Sequence, residues 1–372
     1  MSPSSVPYAN GDHANDTNGN NPHRGTILVT GGAGFIGSHT VLELLNKGFE
    51  VVVVDNCINA YKAEDADLPE CLKRVQELTG KIVTFYLVDL RDLEKTREIF
   101  SKHSFLCVIH FAGLKAVNES VQFPLMYYQH NLIGSMNILQ CMVEFKINDM
   151  IFSSSATVYG SPHFLPLTES HPVGDCTNAY GKSKYFIEQF LQDHCAANPH
   201  VNAVVLRYFN PIGAHESGRL GEDPAGIPNN LMPYVAQVAS GKLSQLSVFG
   251  NDYETRDGTG VRDYIHVVDL ALGHTAALEK MLEGSLSGLK TYNLGTGKGH
   301  SVLEMVAAMK KASGVDIPYV IKARRGGDVG EVYADCTLAA TDLNWHATRD
   351  LETMCRDLWN WQSQNKTGFQ PS

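Results

Sequence analysis

Thr26-Ile-Leu-Val-Thr-Gly-Gly-Ala-Gly-Phe-Ile-Gly37 decides the fold of this chain. Thr26 to Thr30 is a short apolar run and reads as a buried strand. Gly31, Gly34 and Gly37 follow at the spacing G-x-x-G-x-x-G. Glycines at this spacing allow a tight strand-to-helix turn, close approach of a pyrophosphate and close helix packing. A helical run, Ser38 to Asn46, is closed by Lys47-Gly48, and Glu50 to Asp55 reads as a second strand. Strand, loop, helix and strand make one βαβ unit. Its helix N-terminus offers N–H donors and partial positive charge to phosphates.

Asp55 ends that second strand, where a carboxylate accepts hydrogen bonds from adenosine ribose hydroxyls. It would repel a 2′-phosphate, so NAD is expected over NADP; the alternative is an Asp that starts a turn with Asn56. Apolar strands continue at Val83–Val88, Leu106–Phe111, Asp149–Ser154 and Ala203–Arg207, with polar helical segments between them. This alternation predicts an α/β fold of the Rossmann type, a doubly wound parallel sheet covered on both faces. After about Asn210, Gly, Pro and Asn become frequent, and a smaller C-terminal lobe of mixed α/β structure is expected. Asp89 ends another strand and either contacts adenine or caps a helix. Lys115, just past the strand that ends at Phe111, either reaches the pyrophosphate or is solvated. Ser153-Ser-Ser-Ala-Thr157 faces the ligand crevice at a strand end, or caps a helix.

Composition narrows the function classes. Hydrophobic residues make up 43% of the 372, ample for a sizeable core, and the formal net charge is -10. An acidic balance argues against nucleic acid or an anionic membrane as main partner. Any phosphate ligand therefore needs local arginines, backbone N–H groups or helix N-termini. No apolar run approaches the roughly 20 residues of a membrane span. Residues 1–24 are polar with no apolar h-region and read as a disordered tail. The eight cysteines are scattered with no C-x-x-C pair, and no H-E-x-x-H occurs. Disulfides and a metal site are not expected, which fits a reducing cytosol.

Tyr180-Gly-Lys-Ser-Lys184 carries the chemistry. A tyrosine and a lysine four residues apart share one helix face. An ammonium beside a phenol stabilises the phenolate, lowering a pKa that is normally roughly 10. Such a phenol exchanges protons with an alcohol hydroxyl near neutral pH. Together with a nicotinamide cofactor, it makes an alcohol oxidation site.

Taken together these blocks resemble the UDP-glucose 4-epimerase family, within the extended short-chain dehydrogenase/reductase superfamily. The resemblance covers about Arg24 to Gly368. It rests on VTGGAGFIGSH (29–39), HFAGLKAV (110–117), FSSSATVYG (152–160), YGKSK (180–184), RYFNPIGAH (207–215), PNNLMPY (228–234), DGTGVRDYIHV (257–267), YNLGTG (292–297) and ARRGGDV (323–329). The glycine and Tyr/Lys motifs define only the superfamily; the later blocks are more specific.

The resemblance implies Tyr180 as catalytic acid/base, Lys184 as the residue holding the nicotinamide ribose, and Ser155 as the hydroxyl orienting the sugar 4-OH. It implies a tightly bound NAD held by Gly31, Gly34, Phe35, Ile36, Gly37, Asp55, Asn56, Asp89, Leu90, Phe111, Ala112, Gly113, Lys115, Asn131, Tyr180, Lys184 and Tyr208. For the UDP-sugar it implies Ser155, Thr157, Tyr180, Asn210, Asn230, Leu231, Arg262, Arg325 and Asp328, although either arginine read alone is equally a surface ion-pair partner. The implied reaction interconverts UDP-galactose and UDP-glucose in galactose metabolism: Tyr180 takes the 4-OH proton, C4 gives hydride to NAD, and the 4-keto sugar turns and recovers it on the opposite face. A cytoplasmic homodimer is implied, joined near Asn131–Leu139 and Tyr180–Phe190. So is a division into an NAD domain over 25–210, with a returning segment near 263–296, and a UDP-sugar domain over 211–372.

Two positions depart from the pattern or vary within it. Asn118 stands where a glycine is expected, adding bulk beside the sugar pocket. Val332 occupies a position tied to admission of N-acetylated sugars, and its small side chain favours admitting them. A sugar-nucleotide 4,6-dehydratase would need an acid pair after the strand-end threonine, but Val158 and Tyr159 follow Thr157. A silent Rossmann sensor of NAD or UDP-sugar has no use for Tyr180, Lys184 and Ser155 together.

Overall fold

The computed structural model describes residues 24–370, apart from residues 225, 227, 326 and 327. The expected tail lies outside the described residues except for Arg24. Contrary to its place in that tail, Arg24 is pinned: its guanidinium pairs with Glu279 at 2.6 Å and lies over the Phe49 ring.

β1 (Thr26–Thr30) leads through the glycine turn into α1 (Phe35–Asn46) and β2 (Glu50–Asp55). α2 (Glu70–Thr79), β3 (Thr84–Leu87), α3 (Leu93–Lys102) and β4 (Phe105–His110) continue the alternation. Next come α4 (Val117–Gln122) and α5 (Pro124–Tyr128), which runs through a π-helical turn into α6 (Gly134–Phe145). β5 (Asp149–Ser155), α7 (Ala179–Ala197) and β6 (Asn202–Tyr208) complete the first part. The remainder holds β7 (Asn210–Ile212), α8 (Leu231–Ala239), β8 (Leu246–Phe249), β9 (Val261–His266), α9 (Val267–Leu282) and β10 (Leu289–Leu294). It ends with β11 (Gly299–Ser301), α10 (Val302–Ser313), β12 (Tyr319–Lys322), β13 (Glu331–Val332), α11 (Thr337–Leu343) and α12 (Leu351–Gln364).

Seven strands form one parallel sheet in the order β10-β6-β5-β4-β1-β2-β3. Successive side chains of a strand point to opposite faces, so each apolar strand feeds two cores. Leu28, Val52, Val108 and Phe152 pack under α3, α6 and α7. Ile27, Val29, Val53, Ile109 and Val204 pack under α1, α2 and α9. Strand order reverses between β1 and β4, which opens the ligand crevice of a doubly wound sheet. Within the expected returning segment, α9 packs on α1 and β10 extends the main sheet beside β6. β9 instead lies in a smaller sheet, between β11 and β13 and beside β7. α8, α10 and α12 cover that side, burying Ile212, Met232, Val235, Tyr264, Met305 and Leu358 together.

The glycine turn fixes the geometry at the crevice. α1 starts at Phe35, three residues before Ser38, because Gly34 sits extended at its N-cap and leaves the next N–H groups without a side-chain cap. Gly31 has φ +69°, and a Cβ there would lie 2.6 Å from the Ala112 nitrogen. A Cβ on Gly37 would lie 2.3 Å from the Gly31 carbonyl oxygen. Both obstacles are backbone, so neither can swing away. Gly37→Ala is expected to destabilise the fold by about 1–3 kcal/mol, read as a lower urea midpoint. An unchanged midpoint would show that the turn yields freely.

Candidate active site

The crevice is lined along its length by Gly31, Gly34, Phe35, Ile36, Gly37, Asp55, Asn56, Asp89, Leu90, Phe111, Ala112, Gly113, Lys115, Tyr180, Lys184 and Tyr208. Sixteen of the seventeen residues expected to hold the cofactor thus share one cavity. Its walls also include Ile58, Asn59, His110, Leu114, Gly134 and Ser153. Strand-end position was a usable signal for His110 and Ser153.

At one end, the Asp55 carboxylate accepts the N–H of Ala33 at 3.1 Å and that of Cys57 at 2.9 Å. It therefore ties the glycine turn to the end of β2. Burial pushes its pKa up, while those N–H groups pull it down. Asp89 is no helix cap; Asp92 caps α3. Asp89 pairs with Arg91 at 2.7 Å and accepts from Asn56 at 3.2 Å, and chiefly the Arg91 guanidinium holds its carboxyl far below the usual range.

Asn131 is the residue the structure seats behind the wall. Its Oδ1 accepts from the Leu114 N–H at 2.8 Å, and its Nδ2 donates to the Leu114 carbonyl and to Ser183 Oγ. Both amide protons are committed, so Asn131 shapes the Gly113–Lys115 wall. Lys115 is exposed and its ammonium pairs with Glu222 at 2.8 Å.

At the other end, α7 starts at the Asn178 cap and brings Tyr180 and Lys184 under the C-terminal ends of β5 and β6. Ser155 Oγ receives the Thr157 N–H at 3.2 Å and the Thr157 hydroxyl at 3.0 Å. Its own proton is left free, and its hydroxyl lies near enough to the Tyr180 phenol to favour the phenolate. Burial pushes the phenol up, and Ser155 and the Lys115 ammonium pull it back. Lys115 is thus a cation near the phenol in addition to the expected Lys184. Lys184 Nζ donates to the Ser153 carbonyl at 2.7 Å and stands 6.0 Å from the Tyr180 ring centre. Burial lowers Lys184 to about 8, opposed by Glu188 one turn further on.

Tyr159, the other tyrosine beside the serine run, is unavailable for proton transfer. Its hydroxyl donates to Asn293 at 2.6 Å and receives from Arg207 at 3.1 Å. The residues expected around the sugar and uridine gather about the smaller sheet. Asn210 on β7 donates to the Asp263 carbonyl at 2.8 Å, and Arg262 lies on β9, paired with Val332 of β13. Arg325 pairs with Asp328 at 2.9 Å, in the segment between β12 and β13. Asn230 and Leu231 open α8, and the Asn230 side chain is not used as its cap. Asn118 is exposed on α4 and does not line the cofactor crevice.

A family model described as GDP-mannose 4,6 dehydratase matches residues 28–358. UDP-glucose 4-epimerase of Mus musculus is 61% identical over 343 residues, covering 92% of this chain and 98% of that protein. The chain belongs to the UDP-glucose 4-epimerase family. The Drosophila melanogaster UDP-glucose 4-epimerase is 56% identical over 344 residues, covering 92% and 98% of the two chains. A crystal structure of the Bifidobacterium longum UDP-glucose 4-epimerase in complex with NAD+ and UDP superposes with a TM-score of 0.87 at 52% identity, covering 92% of this chain and 99% of that one.

The crevice fits a dinucleotide. The first turn of α1 has no acidic residue and no side-chain cap, and over Gly34 a Cβ would touch only the Gly31 carbonyl. That leaves N–H groups and open space for a pyrophosphate.

Lys184 gives a pH test of burial. Its folded value near 8 lies below its ordinary value of about 10.5, so the fold disfavours the ammonium. Above 10.5 the group is neutral in both states and costs nothing; the penalty grows as pH falls through this window and is complete below 8. Lys184→Met should therefore raise the melting temperature at pH 7, by a margin that shrinks between pH 8 and 10.5. A margin independent of pH would show that the ammonium is not penalised.

Proposed function

We infer that this chain interconverts UDP-glucose and UDP-galactose. The observation that carries it is that Tyr180, with Ser155 beside its phenol, and Lys184 line the same crevice as Asp55 and the glycine turn. NAD, when bound, supplies a reversible hydride acceptor. We propose that the glycine turn and the N-terminus of α1 hold its pyrophosphate and that Asp55 accepts from its ribose and selects against a 2′-phosphate. Lys184, fixed by the Ser153 carbonyl, presents its ammonium to the second ribose.

Tyr180 moves the proton of the sugar 4-OH. Ser155 orients that hydroxyl, and its own proton faces the phenol oxygen that must bear charge. Asn210, Asn230, Leu231, Arg262, Arg325 and Asp328 hold the UDP part, with guanidinium groups suited to a diphosphate in an acidic chain. Anchoring through UDP lets the sugar turn without leaving. The two lobes divide this labour: residues 25–210 with α9 and β10 hold the cofactor, and the smaller sheet with its helices holds the UDP-sugar.

The test is incubation with UDP-galactose and no added NAD. UDP-glucose is the expected product; a 4-keto-6-deoxy sugar would indicate a dehydratase, and no product a sensor. The same assay with N-acetylated UDP-hexoses reads the opposing influences of Asn118 and Val332. Tyr180→Phe should lower turnover by roughly 100- to 10,000-fold, while denaturation still releases NAD(H) rather than NADP(H). Near-normal turnover would remove Tyr180 from its role.

We propose further that the protein is a homodimer. α4 to α7 expose Val121 (63%), Leu125 (73%), Met136 (54%) and Val143 (61%), with Phe123 and Phe186 beside them. Apolar surface of this extent seeks a partner, and these helices flank the catalytic end of α7. Leu125→Asp should yield a monomer by light scattering; a native-sized dimer would place the interface elsewhere. Eight free thiols, six of them buried, support residence in the cytoplasm. Among the described residues no helix is long and apolar enough to cross a membrane.

A further inference from the structure

Behind the catalytic end of α7 lies a buried ion pair to which the reaction gives no role. Arg207 on β6 and Glu188 on α7 have side chains 7% and 6% exposed and meet through two hydrogen bonds, 2.7 and 3.1 Å. Ser154 Oγ donates to the same carboxylate at 2.5 Å. Arg207 also donates to Tyr159 and to the Glu169 carbonyl. Buried pairs like this lose much of their attraction to desolvation, so stability alone is a weak reason for one.

Its position is the second observation. Ser154 stands between Ser153, whose carbonyl receives Lys184, and Ser155, whose hydroxyl lies near the Tyr180 phenol. In the sheet register Ser154 is opposite Arg207, and Ser155 is opposite Tyr208, a wall of the crevice. Glu188 follows Lys184 by one helical turn on the same face. We propose that Glu188 and Arg207 are positioning residues of the epimerase site: they clamp α7 to β5 at the serine run and hold a negative charge directly behind Lys184. The inference rests on Tyr180, Ser155 and Lys184 being the site.

No other anion replaces Glu188. On α7 Lys184 is flanked by Tyr180 and Glu188; β5 offers it the Ser153 carbonyl and the Phe152 ring, 4.9 Å away. From β4 it meets His110, which burial lowers to about 3 and so leaves neutral. β6 brings Arg207 and Tyr208, and burial raises the Tyr208 phenol well above its usual range. His274 of α9, bonded to Tyr208, is likewise neutral, lowered by burial to about 4. Lys115 faces Tyr180, and its own counter-ion is Glu222. Glu188 is therefore the carboxylate that favours the Lys184 ammonium against burial.

The test follows the Lys184 ε-carbon by NMR titration of 13C-lysine-labelled holoenzyme, assigned by its loss in Lys184→Met. Glu188→Gln keeps shape and removes charge; Glu188→Gln/Arg207→Met removes both charges and leaves no lone buried guanidinium. Glu188→Gln should lower the Lys184 midpoint by at least about half a unit, and the double variant should lower it less, because the Arg207 charge leaves with the carboxylate. They should also reduce kcat more at pH 8.5 than at pH 7, with KM for UDP-galactose changed less than twofold. Glu188→Asp should restore most of the midpoint. An unmoved midpoint in Glu188→Gln, or a raised one in the double variant, overturns the proposal. Failure of the doubly neutral variant to fold overturns it too, by showing that the pair serves the domain and not the site. The midpoint is read without turnover, so it stands apart from the Tyr180→Phe result that judges the site itself.

Discussion

Backbone meets backbone at the glycine turn with no room for a methyl group, and the rest of the crevice depends on that contact. A Cβ on Gly37 would sit 2.3 Å from the Gly31 carbonyl, and one on Gly31 would sit 2.6 Å from the Ala112 nitrogen. The first contact lets α1 begin directly over β1, aiming its unbonded N–H groups into the crevice. The second draws the loop after β4 across the strand-order reversal, so that Phe111 to Lys115 forms the facing wall. Asn131 then locks that wall from behind. A chain with a net charge of -10 repels an anion at long range. At contact, however, oriented N–H groups outweigh charges that salt screens beyond about 8–10 Å.

Burial shapes the chemistry as strongly as proximity does. Tyr180 and Lys184 are both driven toward their neutral forms by desolvation, and the flanking groups decide how far. Lys115 and Ser155 act on the phenol; Glu188 acts on the ammonium. Many other ion pairs, such as Lys102–Glu98 and Lys311–Glu352, are exposed. Water screens pairs of that kind and leaves them contributing little, so the pairs that matter are the few it does not reach.

β1 and β2 were legible residue for residue, because Thr26–Thr30 and Glu50–Asp55 are apolar runs ended by a glycine turn and an aspartate. The start of α1 was not, since Gly34 and Gly37 look like breakers until the turn they build is known. The Tyr180/Lys184 spacing revealed a shared face, but not where the ammonium points. That direction depends on the Ser153 carbonyl, 31 residues away in sequence. Local periodicity carries no trace of Lys115 meeting Glu222 or of Arg207 meeting Glu188. β10 was equally hidden, because Leu289-Lys-Thr-Tyr-Asn-Leu294 mixes polar and apolar residues and is specified by pairing with β6.

The two sheets are joined by the shortest possible path, and that path runs through the site. β6 ends at Tyr208 and β7 begins at Asn210, with only Phe209 between them. A cofactor-side tyrosine and a residue proposed for the UDP-sugar are therefore two positions apart on one chain. β9 completes the junction by using its two faces differently. Arg262 stands beside β13, whereas Asp263 is wholly buried and accepts the N–H groups of Thr296, Gly297 and Ala334. Those acceptors fasten the end of β10, a strand of the main sheet, to the centre of the small one. Relative movement of cofactor and sugar walls would have to break this buried carboxylate's hydrogen bonds, each costly to leave unmade. Under the proposed mechanism, the turning motion then falls to the sugar more readily than to this junction.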